Sequence, residues 1–126
     1  MLLNHPVKIV KKPWGEERWF ANAARYAGKL LLVRAGHRLS LQYHRKKDET
    51  IFVDRGRLKM TYYKRRGAKL PATLPFKVLG PGAAVRIPPG TIHRFEAITD
   101  CRLIEVSLGP LTDVVRLEDD YGRISQ

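Results

Sequence analysis

The stretch SLQYHRKKDE, Ser40 to Glu49, sets a glutamine, a histidine and a glutamate at spacings that suit metal ligation. Along a strand alternate side chains share a face, so Ser40, Gln42 and His44 point one way and Leu41 and Tyr43 the other. A short turn over Arg45 to Asp48 brings Glu49, at the start of the next strand, back beside them. His93 opens a later strand, just after the stiff turn Pro88-Pro89-Gly90. Two imidazoles, a carboxylate and an amide oxygen are borderline-to-hard donors. They suit one divalent ion, zinc first, with iron, manganese or nickel as alternatives. Taken singly, each residue has a plainer explanation: a hydrogen-bonded structural histidine, a solvated glutamate, a packed glutamine.

The elements that must position these side chains read as strands throughout. Helical periodicity is nearly absent, and short runs rich in Val, Ile, Leu, Tyr and Phe alternate with Gly and Pro clusters. Expected strands are Val7 to Val10, Arg18 to Ala21, Ala27 to Arg34, Leu39 to His44, Glu49 to Asp54 and Arg57 to Tyr63. After a basic loop come Phe76 to Leu79, Ala84 to Ile87, His93 to Ala97 and Cys101 to Leu108. Strands of this length and spacing predict an all-β barrel or jelly roll, since closure removes exposed sheet edges. The tail LTDVVRLEDDYGRISQ is expected to form a short helix or to lie across the barrel. The 126 residues read as a single domain, 1–126, with 44% apolar residues to build its core.

The formal net charge of +12 raises the question of nucleic acid. The basic residues are spread along the chain, densest in YYKRRGAKLPATLPFK, which reads as a loop rather than a recognition helix. Zinc-finger spacing, an aromatic RNA-binding signature and a helix-turn-helix pattern are all missing. A phosphorylated or acidic small molecule is the better use of the charge. No window approaches the roughly 18 apolar residues of a membrane span, and the first residues lack a signal-peptide pattern. Cys101 is the single cysteine, which fits a reducing, cytoplasmic setting.

Order and spacing lift the ligand set above its separate explanations. Gly36, five residues, Gln42, one residue, His44, four residues, Glu49, six residues, Gly56 resembles the first cupin motif, with glutamine for its first histidine. Gly82, five residues, Pro88-Pro89-Gly90, two residues, His93 resembles the second, with Ala97 for its terminal asparagine. The flanking residues are similar to the cupin domain of type II mannose-6-phosphate isomerases. They include Lys12-Pro13-Trp14-Gly15, Lys29, Ser40-Leu41-Gln42, Ile87 to Arg94, Ile104-Glu105-Val106 and Val115 to Arg123. The chain departs from that pattern at Lys47, Thr50 and Ile51, and in the insertion KRRGAKLPATLPF.

This resemblance implies a cupin barrel, or double-stranded β-helix, with Gln42, His44, Glu49 and His93 converging on one metal. It implies an isomerase that interconverts mannose 6-phosphate and fructose 6-phosphate, working as a homodimer. Such a reaction needs a base to move a proton between C2 and C1, and cations to hold the phosphate. Glu105, on the alternating run Leu103, Glu105, Ser107, is expected to point inward as the base. Glu49 and Lys29 are further catalytic candidates. Arg94, Arg116 and Lys47 are candidate phosphate holders, although a regular strand turns Arg94 away from His93 toward a surface or dimer ion pair. Trp14 and Trp19 read as core or rim packing. Two other functions compete: a metal-binding cupin that takes up a ligand without turnover, and an iron-dependent dioxygenase.

Overall fold

The computed structural model describes residues 1–64, 69–110 and 112–124. Among the described residues, eleven strands and no helix make up the secondary structure: β1 (Lys8–Lys12), β2 (Gly15–Asn22), β3 (Tyr26–Val33), β4 (Leu41–His44), β5 (Asp48–Arg55) and β6 (Leu58–Lys64), then β7 (Phe76–Leu79), β8 (Ala84–Ile87), β9 (Thr91–Ala97), β10 (Cys101–Leu108) and β11 (Val114–Glu118). Every pairing is antiparallel. One sheet runs β1-β2-β3-β10-β5-β8 and the other β11-β4-β9-β6-β7. Among the described residues no helix is long and apolar enough to cross a membrane.

The expected spans of β7, β8 and β10 coincide with the observed ones. The tail differs. Val114–Glu118 is a strand that pairs with β4, neither a helix nor a strap across the barrel. Its alternation was hidden by charge, because the residues flanking Val114, Val115 and Leu117 are Asp113, Arg116, Glu118 and Asp119. Residues 65–68 of the basic insertion lie outside the described residues. Leu74, further along the insertion, packs with Leu41, Tyr43 and Ile92 on the outer face of the second sheet.

The inner face of the first sheet is organised in rungs of directly opposed residues. Leu31, Leu103 and Val53 form one rung, Lys29, Glu105 and Ile51 the next, and Ala27, Ser107 and Glu49 a third. The first rung joins Trp14, Leu58, Phe95 and Ile87 in the hydrophobic core. Each such side chain contributes about 1.5–3 kcal/mol by leaving water. The polar rungs lie toward the other end. Gly56 closes the β5–β6 hairpin with φ +93°, and a Cβ there would stand 2.1 Å from the Asp100 carbonyl oxygen. Only glycine meets both demands, which accounts for the last residue of the first motif.

Candidate metal centre and its cavity

Four strands from both sheets meet at the polar end. In the second sheet Arg116 of β11 stands opposite Gln42 of β4, and Gln42 stands opposite His93 of β9. Directly opposed residues project to the same side, so this row faces inward, with His44 two residues along β4. Glu49 reaches the row from β5 in the facing sheet. One donor atom from each of His44, Glu49 and His93 lies within 4.8 Å of the others, and all three residues are buried.

The histidines are held in the tautomer that a ligand needs. His93 Nδ1 donates to the Thr91 carbonyl at 2.9 Å, leaving Nε2 buried without a hydrogen-bond partner. His44 Nδ1 donates to Asp113 Oδ1 at 3.2 Å, so its Nε2 also turns a lone pair inward. Burial, followed by the nearby Lys47 ammonium, pushes both imidazoles down to about 4, and near neutral pH they are uncharged. Burial works against the Asp113 carboxylate, but the backbone amides of Lys46 and Lys47 outweigh it and keep the group ionised.

A divalent ion fits this set. Two ligands bound at about 2.1 Å in a tetrahedral arrangement stand about 3.4 Å apart. His44 Nε2 is 3.5 Å from Glu49 Oε2 and His93 Nε2 is 3.7 Å from Glu49 Oε1. The orphaned Nε2 of His93 is itself a reason to expect a partner, because a buried polar atom left unpaired costs about 1–3 kcal/mol. Gln42 is placed differently from the three. Its Oε1 accepts from Ser40 Oγ at 2.7 Å, and its Nε2 donates toward His44 Nε2 at 3.4 Å. A half-turn of the amide exchanges the two ends and lets Ser40 serve as acceptor.

Behind the three ligands sits a buried charge cluster. Lys47 Nζ lies 3.0 Å from Glu49 Oε2 and 3.2 Å from Glu105 Oε2. Burial disfavours the ammonium, yet Glu105 and Glu49 more than offset this and raise its pKa. Glu105 is pushed up by burial and by the Glu49 charge, against the pull of Lys47 and Lys29. A carboxyl group raised in this way is suited to taking and returning a proton. Lys47 therefore sits inside as the partner of two carboxylates. Lys29 is buried 4.3 Å above the Trp19 ring and 3.7 Å from Glu17 Oε1, which also accepts from Trp19 Nε1 at 2.8 Å.

Gln42, His44, Glu49, Lys47, Lys29 and Glu105 line a cavity of about 360 Å³, walled by both sheets and by Arg116, Arg123 and Lys12, with His93 buried behind its wall. Arg94 is not part of its wall. Its Nε donates to the Leu39 carbonyl at 2.9 Å and its Nη2 to the Glu118 carbonyl at 3.4 Å. Arg94 thus ties β11 to the sheet and has little left to offer a phosphate. Asp113, Glu17 and Arg123 were not singled out as site residues in the sequence. The signal for Asp113 was its place just before the alternating run Val114, Arg116, Glu118.

An all-β two-sheet barrel carrying a His/Glu/His cluster at one end defines a cupin. Solved cupin structures superpose on it: the capsular polysaccharide assembling protein CapF from Staphylococcus aureus, TM-score 0.71 at 17% identity, covers 90% of this chain and 34% of its own. Oxalate decarboxylase from Bacillus subtilis gives TM-score 0.73 at 16% identity, over 88% of this chain and 30% of its own. At such identities the likeness is one of fold. Within the cupins, the chain belongs to the family described as mannose-6-phosphate isomerase C-terminal, whose model matches residues 3–124. The mannose-1-phosphate guanylyltransferase ManC of Salmonella typhimurium is 32% identical over 126 residues, covering 96% of this chain and 24% of that protein. The chain therefore spans about a quarter of the length of that curated relative.

Proposed function

We propose that the protein is a metal-dependent aldose–ketose isomerase acting on a hexose 6-phosphate, of the mannose-to-fructose type. The observation that carries this reading is the placement of Glu105. A buried carboxyl group with a raised pKa faces the same cavity as Gln42, His44 and Glu49. The family description adds support.

In this reading Gln42, His44, Glu49 and His93 hold the ion, with zinc the first choice for two imidazoles, a carboxylate and an amide oxygen. A divalent ion held there supplies polarisation of the sugar carbonyl without changing oxidation state. Glu105 removes the C2 proton of the aldose and returns it to C1, while the proton of the C2 hydroxyl passes to the C1 oxygen, so that the carbonyl moves from C1 to C2 with no net gain or loss of atoms or electrons. Lys47 pairs with Glu49 and holds Glu105 in place between transfers. Lys29, opposite Glu105 across the β3–β10 ladder, adds a positive charge beside the base.

The direct test is incubation of the zinc-loaded chain with mannose 6-phosphate, coupled to detection of fructose 6-phosphate. Turnover that disappears in Glu105→Gln is the expected result. Absence of turnover with zinc, iron, manganese and nickel alike would overturn the isomerase and favour a cupin that binds a ligand without converting it.

A further inference from the structure

Resting on the sugar-phosphate reading, we propose that Arg116 and Lys12 form the anion subsite of the cavity, with Arg116 taking the phosphoryl group directly. The argument is one of elimination among the cations, followed by geometry. Lys47 is committed to Glu49 and Glu105. Lys29 is held by Glu17 and by the Trp19 ring. Arg123 makes a two-pronged pair with Asp119, at 2.8 and 3.0 Å. Arg94 is spent on backbone carbonyls outside the cavity.

Arg116 is different. It lines the cavity, its Nε is buried without a hydrogen-bond partner, and its guanidinium has no ion pair among the described residues. A buried guanidinium nitrogen left unpaired is costly unless a ligand completes it. The guanidinium fork is also the side chain whose geometry matches phosphate oxygens in pairs. Lys12, likewise without an ion pair among the described residues, lines the same cavity from the β1 edge of the facing sheet.

Position agrees with chemistry. Arg116 is two strands from His93 in one row, with Gln42 between them. Two strand spacings place their backbones about 10 Å apart. The phosphate of a hexose 6-phosphate lies at the far end of a six-carbon chain from the reacting C1 and C2. A substrate anchored at Arg116 therefore extends past Gln42 with its reactive end toward His93 and Glu105. This fixes a direction for the sugar in the cavity, and it makes phosphate recognition a property of β11.

Calorimetric titration of the zinc-loaded full chain with inorganic phosphate, mannose 6-phosphate and mannose tests the subsite without relying on turnover. Wild type is expected to bind the two phosphates and to bind mannose far more weakly. Arg116→Ala should weaken both phosphates about 10- to 100-fold, the range for hydrogen bonds to a charged group, with metal content and circular dichroism unchanged. Arg116→Lys should recover part of the loss, and Lys12→Ala should show a smaller one. Equal phosphate affinity in wild type, Arg116→Ala and Arg116→Gln would overturn the subsite, as would no phosphate binding by wild type. Phosphate binding that depends on Arg116, in a protein that does not turn over mannose 6-phosphate, would leave the subsite standing and remove the isomerase reading instead.

Discussion

Two ends of one barrel are built from the same three strands, yet they follow opposite rules. At one end β3, β10 and β5 contribute Leu31, Leu103 and Val53; four residues further along β10 the rung reads Ala27, Ser107 and Glu49. That shift is about 13 Å along the strand. The apolar rung gains free energy from every side chain it removes from water. At the polar end Glu49, Glu105, Lys47 and two imidazoles are equally buried. There desolvation offsets much of what the ion pairs return. The barrel thus carries a stabilising half and a functional half, and the strand register decides which residue falls in which.

Substitutions separate the two halves most clearly where the expected effects are largest. Lys47→Met leaves Glu49 and Glu105 buried without the counter-charge they share and should destabilise the metal-free chain by about 3–5 kcal/mol in urea unfolding. Adding Glu105→Leu should return most of that stability while abolishing turnover. If the double variant stays as unstable as the single one, the polar half is not the cost we describe. Leu103→Ala in the apolar half should remove about 2–5 kcal/mol with zinc stoichiometry unchanged, and loss of zinc would show that the halves are not separable.

A smaller effect follows from pH. Both imidazoles have folded pKa values depressed to about 4, against about 6.5 in the unfolded chain. The unfolded state therefore takes up more protons as pH falls from about 6.5 to about 4, and the metal-stripped protein loses stability across that window. Above it the contribution is fully present. Thermal melts at stepped pH should show this decline, and it should be shallower in His93→Gln. A flat profile in wild type would contradict the buried neutral pair.

Asp113→Ala removes the group that fixes the His44 tautomer and should lower zinc affinity about 10- to 100-fold by competition with a chelator. Smallest of all is Arg102→Ala, which breaks a half-exposed pair with Asp54 and should change stability by less than about 0.5 kcal/mol.

The sequence made the ligands legible because period-two alternation and two glycine-flanked motifs constrain them from both ends. Alternation put Gln42 and His44 on one face, and the order and spacing of the two motifs added Glu49 and His93 to the candidate set. The inward aim of Glu105 followed from the same alternation. Lys47 was less accessible, since it sits in a turn where no periodicity reports direction, and only the fold shows that two carboxylates draw it inside. β11 was missed for a related reason: it is an edge strand, with the masked alternation of an edge facing charge on both sides. Arg94 was placed correctly as facing away from His93, but its backbone partners on Leu39 and Glu118 could not be read from one strand alone.

The position of β11 in chain order has a consequence for how the site comes into being. During synthesis the ribosome releases all four candidate ligands before it releases Asp113 and Arg116. Until those residues emerge, His44 lacks the acid that fixes its tautomer, and the cavity lacks one wall. Competence to bind is thus tied to completion of the sheet, and a chain stalled or clipped before residue 113 would keep every ligand and still present no finished pocket.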